Sequence, residues 1–112
     1  MQNLNRARFE PLRSIGFASI SAAYAAVGTP LDHPVRAFCI TNDTQGDMIV
    51  SLDNTLAAGN MFIAAGSYKL YDVQSNMNAH KDDRYTLAIG DQFYVKQVTA
   101  PVLGDVYLEV IY

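Results

Sequence analysis

Two histidines, one cysteine and two glutamates are the side chains of this 112-residue sequence best suited to ligate a metal or move a proton. Their spacing argues against both. His33 stands between Asp32 and Pro34 in a turn, and His80 lies far downstream in a polar stretch. A zinc site draws three or four ligands from His, Cys and carboxylates, commonly in short-range pairs. Cys39 is the sole thiol, and no such pair occurs. Asn42, Asp43, Asp47 and Asp53 imitate a calcium loop, but Thr44 and Gln45 interrupt the alternation and no glutamate closes it. Turn chemistry accounts for that cluster. Cys39 lies in the apolar run 35–40 with Arg36 as its one basic neighbour, so an inert core thiol is expected. No G-x-S-x-G elbow, P-loop or G-x-G-x-x-G occurs. For paired glycosidase carboxylates, Glu10 and Glu109 are the only glutamates. The expectation is a non-enzymatic chain with no catalytic residue, metal or cofactor.

The remaining chemistry is that of contact. Seven tyrosines and no tryptophan are present, and tyrosine joins an apolar body to a polar tip suited to half-buried interfaces. Ordinary cross-strand packing accounts for some. Tyr71, Tyr94, Tyr107 and Tyr112 are the candidates for an intersubunit face. Arg6, Arg8 and Arg13 form the one basic cluster, broken by Glu10. It reads either as a solvated tail or as an arm that docks on an acidic partner.

Composition bounds the partners. A chain of this length holds one domain and one core. It is 50% hydrophobic and 17% charged, below the roughly 25% charge of ordinary soluble domains. Part of the exterior is therefore expected to lie under another protein, including further copies of the chain. The net charge is −3 with the acids scattered, which disfavours nucleic acid, because phosphate contacts need clustered Lys and Arg. No run approaches the roughly 18 apolar residues of a membrane span. Residues 15–27 faintly imitate a signal peptide, but Glu10, Pro11 and the serines at 14, 19 and 21 count against one.

The elements that must position these residues are strands. Helical periodicity is missing, and Gly or Pro punctuates most ten-residue windows. Residues 105–112 alternate, with Val106, Leu108, Val110 and Tyr112 on one side and Tyr107, Glu109 and Ile111 on the other. A strand apolar on one side and mostly apolar on the other is expected inside a sheet or under a partner. Residues 92–98 alternate likewise and read as a hairpin with 85–89 across Gly90-Asp91. Residues 35–41 and 48–52 read as a second hairpin around the polar loop 42–47. Strands are also expected at 61–64 and 67–73. Residues 11–21 read as extended, with Leu12, Ile15, Phe17 and Ile20 as apolar contributions, and 74–84 as an exposed loop. Eight or nine short strands separated by turns imply an all-β, jelly-roll-like β-sandwich. Residues 12–112 would form that single domain, and 1–11 an N-terminal arm.

Two runs carry a resemblance. Phe38-Cys39-Ile40-Thr41-Asn42-Asp43-Thr44-Gln45-Gly46-Asp47-Met48-Ile49-Val50-Ser51-Leu52-Asp53 is one, and Phe62-Ile63-Ala64-Ala65-Gly66-Ser67-Tyr68-Lys69-Leu70-Tyr71-Asp72-Val73 the other. With the closing strands, they resemble the strand-and-turn pattern of small virion proteins of tailed bacteriophages over roughly residues 12–112. The resemblance implies a jelly-roll-like capsid decoration (cement) subunit, made in the host cytoplasm and located on the virion capsid. Its partners would be the major capsid protein or other virion proteins. It transfers no catalytic residue. A head–tail connector or tail component is the alternative within the virion, and a carbohydrate-binding module the alternative outside it.

Overall fold

The computed structural model describes residues 7–52, 61–73 and 87–112. Eight strands form over these residues: β1 Arg13–Gly16, β2 Ala25–Ala26, β3 Ala37–Thr44, β4 Met48–Ser51, β5 Met61–Ile63, β6 Tyr68–Asp72, β7 Tyr94–Gln97 and β8 Gly104–Ile111. A single 3-10 turn, Phe17–Ser19, follows β1. Pairing is antiparallel throughout: β1 with β8, β2 with β7, β3 with β6, and β4 with β5. The chain is thus doubled back on itself as one long ribbon. Rolling that ribbon adds the contacts β3–β8 and β4–β7. The result is two four-stranded sheets, ordered β1-β8-β3-β6 and β2-β7-β4-β5. This is the all-β sandwich expected, in jelly-roll order.

Alternation decides which way each strand faces. In β8, Val106, Leu108 and Val110 are buried while Tyr107, Glu109 and Ile111 are not. In β3, Phe38, Ile40, Asn42 and Thr44 point inward. Met48 and Val50 of β4, Ile63 of β5 and Val95 of β7 close the core from the other sheet. Phe38 meets Phe93 edge to face, ring centroids 5.1 Å apart, a favoured aromatic geometry. Ile15, Ile20 and Val27 belong to this core, so residues 15–27 are part of the sandwich. Leu12 and Phe17, expected beside them, are exposed instead.

Both expected hairpins are corrected. β3 and β4 lie in different sheets, because both edges of β3 are already taken by β6 and β8. β3 also runs to Thr44, since Asn42 and Thr44 find buried partners instead of turning. The three-residue crossing at 45–47 brings Gly46 against the carbonyl of Thr99, where a Cβ would collide. Gly104, at φ +95°, starts β8 with no room for a Cβ beside the Asp43 carbonyl. The second hairpin fails at 87–92, which form no strand, while β7 pairs with β2 and β4. Leu87, Gly90 and Asp91 bond instead to the β2–β3 connection, through Val35 N–H to Leu87 O (3.1 Å) and Leu31 N–H to Asp91 O (2.8 Å). Asp53, Arg6, His80 and the loop expected at 74–84 lie outside the described residues.

The boundary of the expected arm also moves. Arg8 exchanges two backbone bonds with Tyr112, at 2.9 and 2.8 Å, and Glu10 N–H donates to Val110 O at 3.0 Å. Residues 8–10 therefore extend the first sheet beside the end of β8.

Candidate interaction surface

The first sheet turns an apolar face outward. Its registers place Phe9 and Ala37 on either side of Ile111, Cys39 between Glu109 and Leu70, and Thr41 between Tyr107 and Tyr68. Phe9, Leu12, Tyr68 and Leu70 are 74, 61, 65 and 65% exposed, and Cys39, Tyr107 and Ile111 are half-buried. A groove of about 140 Å³ runs between Phe9, Leu70, Cys39, Glu109 and Ile111. Contiguous apolar exposure of this kind marks interaction surfaces in soluble proteins. Cys39 thus faces out of the sheet, which corrects its reading as a core thiol; its Sγ lies 3.9 Å from Thr41 Oγ1.

The sequence candidates do not converge here. Tyr107 lies on this face, opposite Ser14 and Thr41. Tyr94 lies on the outer side of the other sheet, opposite Ala26 and Ser51. Tyr71 opposes Phe38 and meets its ring at 5.4 Å, on the inward side of the edge strand β6. Tyr112 stacks flat on His33, centroids 3.5 Å apart and planes within 2°. Arg8 is exposed. Arg13 is not, and a docking role for it is corrected: it is 4% exposed and fully engaged. Sequence reasoning missed Phe9, Leu12, Tyr68 and Leu70 as members of this surface, and placed Ile111 with Tyr107 on the second face of the last strand. The alternation of Tyr68 with Leu70, and of Tyr107 with Ile111, was the signal available.

Arg13 instead anchors an ionic knot below residues 8–10. Its guanidinium donates to Glu10 Oε1 at 2.8 Å and to the carbonyls of Thr29 (2.7 Å) and Pro30 (2.8 Å). Glu10 Oε2 lies 2.8 Å from His33 Nδ1, and the Asp32 N–H reaches Oε1 at 3.4 Å. Burial pushes the Glu10 carboxyl up. The bonds from His33, Asp32 and Arg13, with the Arg13 charge, outweigh it and hold the group below its ordinary value. An ionised carboxylate only accepts, so His33 Nδ1 carries the proton it donates. Both carboxylate oxygens are occupied, so the knot fastens the chain and presents no open base. His33→Ala removes one charge-assisted bond and the stack on Tyr112. The expected loss is roughly 1–2 kcal/mol in urea unfolding, and a loss near zero would show the knot does not need the ring.

Among the described residues no group of three or more His, Cys, Asp or Glu is placed to hold a metal, and no helix is long and apolar enough to cross a membrane.

No family model matches the sequence. No curated protein matches it either. Among solved structures, the chain is similar to one described under "Bacillus endospore appendages form a novel family of disulfide-linked pili". The identity is 11% and the TM-score 0.48, over 95% of this chain and 87% of that one.

Proposed function

We propose that this chain is a non-enzymatic virion structural protein, a capsid decoration subunit that packs on the head of a tailed bacteriophage through the outer face of the first sheet. The observation that carries the reading is the apolar exposure of Phe9, Tyr68 and Leu70 on the outer face of the first sheet, with Leu12 exposed just before β1. Such a face leaves water when it meets a matching surface, at roughly 25 cal/mol per Å² of apolar area. Glu109 lies in the groove of that face and asks for a donor from the partner, the major capsid protein in this reading. Decoration needs little affinity per contact, because many copies act together on one lattice. The low charge of the chain and its likeness in strand-and-turn pattern to small virion proteins support the same role.

The test compares heads assembled with wild-type protein and with a Phe9→Asp/Leu12→Asp variant. Both side chains are exposed, so folding should change by no more than about 0.5 kcal/mol per site. Heads carrying the wild type are expected to burst at a higher temperature than undecorated heads, and the variant should not bind. Equal burst temperatures with and without the protein would sink the proposal. A copy number of one small ring per particle would point to the connector instead.

A further inference from the structure

We propose that copies of this chain stack head to tail along β8, so that Asp43 and Asp105 at one end of the sandwich receive Arg8 and Arg36 of the next copy. The registers gather like charges at each end of the first sheet. At the start of β8, Asp105 lies directly opposite Asp43 of β3, with Gly16 of β1 on its other side. Asp43 is exposed and Asp105 half-buried. Like charges directly opposite in a sheet are unfavourable.

At the far end, Arg8 exchanges its two backbone bonds with Tyr112, and Arg36 N–H donates to Ile111 O at 2.8 Å. Continuing the β3–β8 register one step beyond Ala37 and Ile111 sets Arg36 opposite Tyr112. Tyr112 therefore stands between two exposed arginines. Among the described residues the ion pairs use Glu10, Arg13, Asp32 and His33. They leave the acidic pair and the basic pair each without a counter-charge. From 105 to 112 the extended chain rises roughly 24 Å, so the two pairs cannot meet within one copy.

The acidic end is also the apolar one. The connections 17–24, 45–47, 64–67 and 98–103 meet there and contain no lysine or arginine. Phe17, Val98, Val102 and Leu103 are exposed on them. The 98–103 loop is tied on both sides: Val98 N–H donates to Asp47 O at 2.8 Å, and Leu103 N–H to Gln45 Oε1 at 3.0 Å. Apolar side chains held out on a fastened loop need little ordering when they bind. Ile89, exposed in the segment that bonds to the β2–β3 connection, supplies apolar surface at the arginine end. The arginine end of a second copy thus matches the loop end in charge and in apolar character. Two loop ends meeting about a twofold axis would set four carboxylates together. A head-to-tail contact pairs opposite signs instead, and complementary charge selects between the two. A contact between two different patches repeats, giving an open row or a ring of copies. This goes beyond the capsid reading, whose contact is the outer face of the first sheet.

The test is sedimentation velocity and light scattering of the purified chain across concentration and salt. The wild type is expected to grow past twice 12.3 kDa with concentration at low salt and to shrink as salt screens the charges. Arg8→Asp/Arg36→Asp and Asp43→Arg/Asp105→Arg should each be monomeric, because each puts like charges on both mating ends. An equimolar mixture of the two should assemble again, since each variant finds opposite charges on the other. Circular dichroism checks that both fold. If either does not, Arg8→Gln/Arg36→Gln and Asp43→Asn/Asp105→Asn replace them, each expected to weaken association roughly tenfold or more. A wild type that is monomeric at low salt, or that stops at twice the chain mass, would overturn the proposal. So would reversed variants that assemble alone, a mixture that stays monomeric, or neutral variants that associate as the wild type does. None of these outcomes depends on capsid binding, so the two readings fail separately.

Discussion

Replacing Asn42 by alanine is expected to lower the unfolding free energy by roughly 3–4 kcal/mol, a large share of the roughly 5–15 kcal/mol margin of a small domain. Asn42 is fully buried in β3. Its amide donates to the carbonyls of Gly46 (2.9 Å), Ile63 (3.1 Å) and Ala64 (3.2 Å). Its Oδ1 accepts from the Thr44 hydroxyl at 2.7 Å and the Thr44 N–H at 3.2 Å. One side chain therefore ties the crossing between the sheets to the end of β5. Alanine removes these bonds, of which one must be shared because the amide has two hydrogens. Gly46 O keeps the Thr44 hydroxyl at 3.1 Å, and the exposed Ala64 O keeps the Ser67 N–H and hydroxyl. The loss therefore falls on the Ile63 carbonyl, the Thr44 amide and the weakened Gly46 carbonyl, each worth about 1–3 kcal/mol when no water replaces the bond. Asn42→Asp sharpens the test. It keeps the acceptor but turns an oxygen toward the three carbonyls, so it should be as damaging at neutral pH and partly relieved once acid protonates the carboxyl. Urea unfolding followed by far-ultraviolet circular dichroism measures both. A loss below about 1 kcal/mol for Asn42→Ala would mean water repairs the network.

That same network explains where sequence reading stopped. The strands at 94–97 and 104–111 were legible because period-two alternation follows from a face that must be buried, and those at 61–63 and 68–72 because the Ala65-Gly66 turn splits two strand-like runs. The all-β class followed from them. Which strand pairs with which was not legible. Asn42, Thr44 and Gly46 are turn formers by local propensity, and only the tertiary partners just named make two of them strand residues. A polar inward residue and a polar turn residue look alike in one dimension. The candidate surface was half legible for the same reason. Tyrosines were counted by type, but Tyr71, Tyr94 and Tyr107 fall on three different sides because parity and sheet membership, not residue type, decide direction. Arg13 and Glu10 read as a tail because nothing local records that Thr29, Pro30 and His33 close over them.

Removing Arg13 tests that closure most severely. Arg13→Met is expected to cost roughly 3–5 kcal/mol at neutral pH, since it leaves the Glu10 charge buried without its cation. The Glu10 side chain is 0% exposed and that of Arg13 is 3% exposed, so solvent cannot compensate without opening the segment. Amide exchange at Arg8 and Glu10, whose backbone bonds hold this segment to Tyr112 and Val110, should quicken before the rest of the sheet does. Glu10→Leu/Arg13→Met removes both charges and should recover much of the loss, because the penalty of the single variant is the orphaned charge. Recovery stays incomplete, as His33 and the Asp32 N–H lose their acceptor. The pH dependence follows from the direction of the Glu10 shift. Its folded value lies below the ordinary 4.5, so ionised Glu10 stabilises the fold fully above that range, and the contribution fades as pH falls through the folded value. The stability gap between wild type and Glu10→Gln should therefore be widest near neutrality and narrow in acid. A gap that widens on acidification would mean that burial, not the bonds from His33, Asp32 and Arg13, governs this carboxylate.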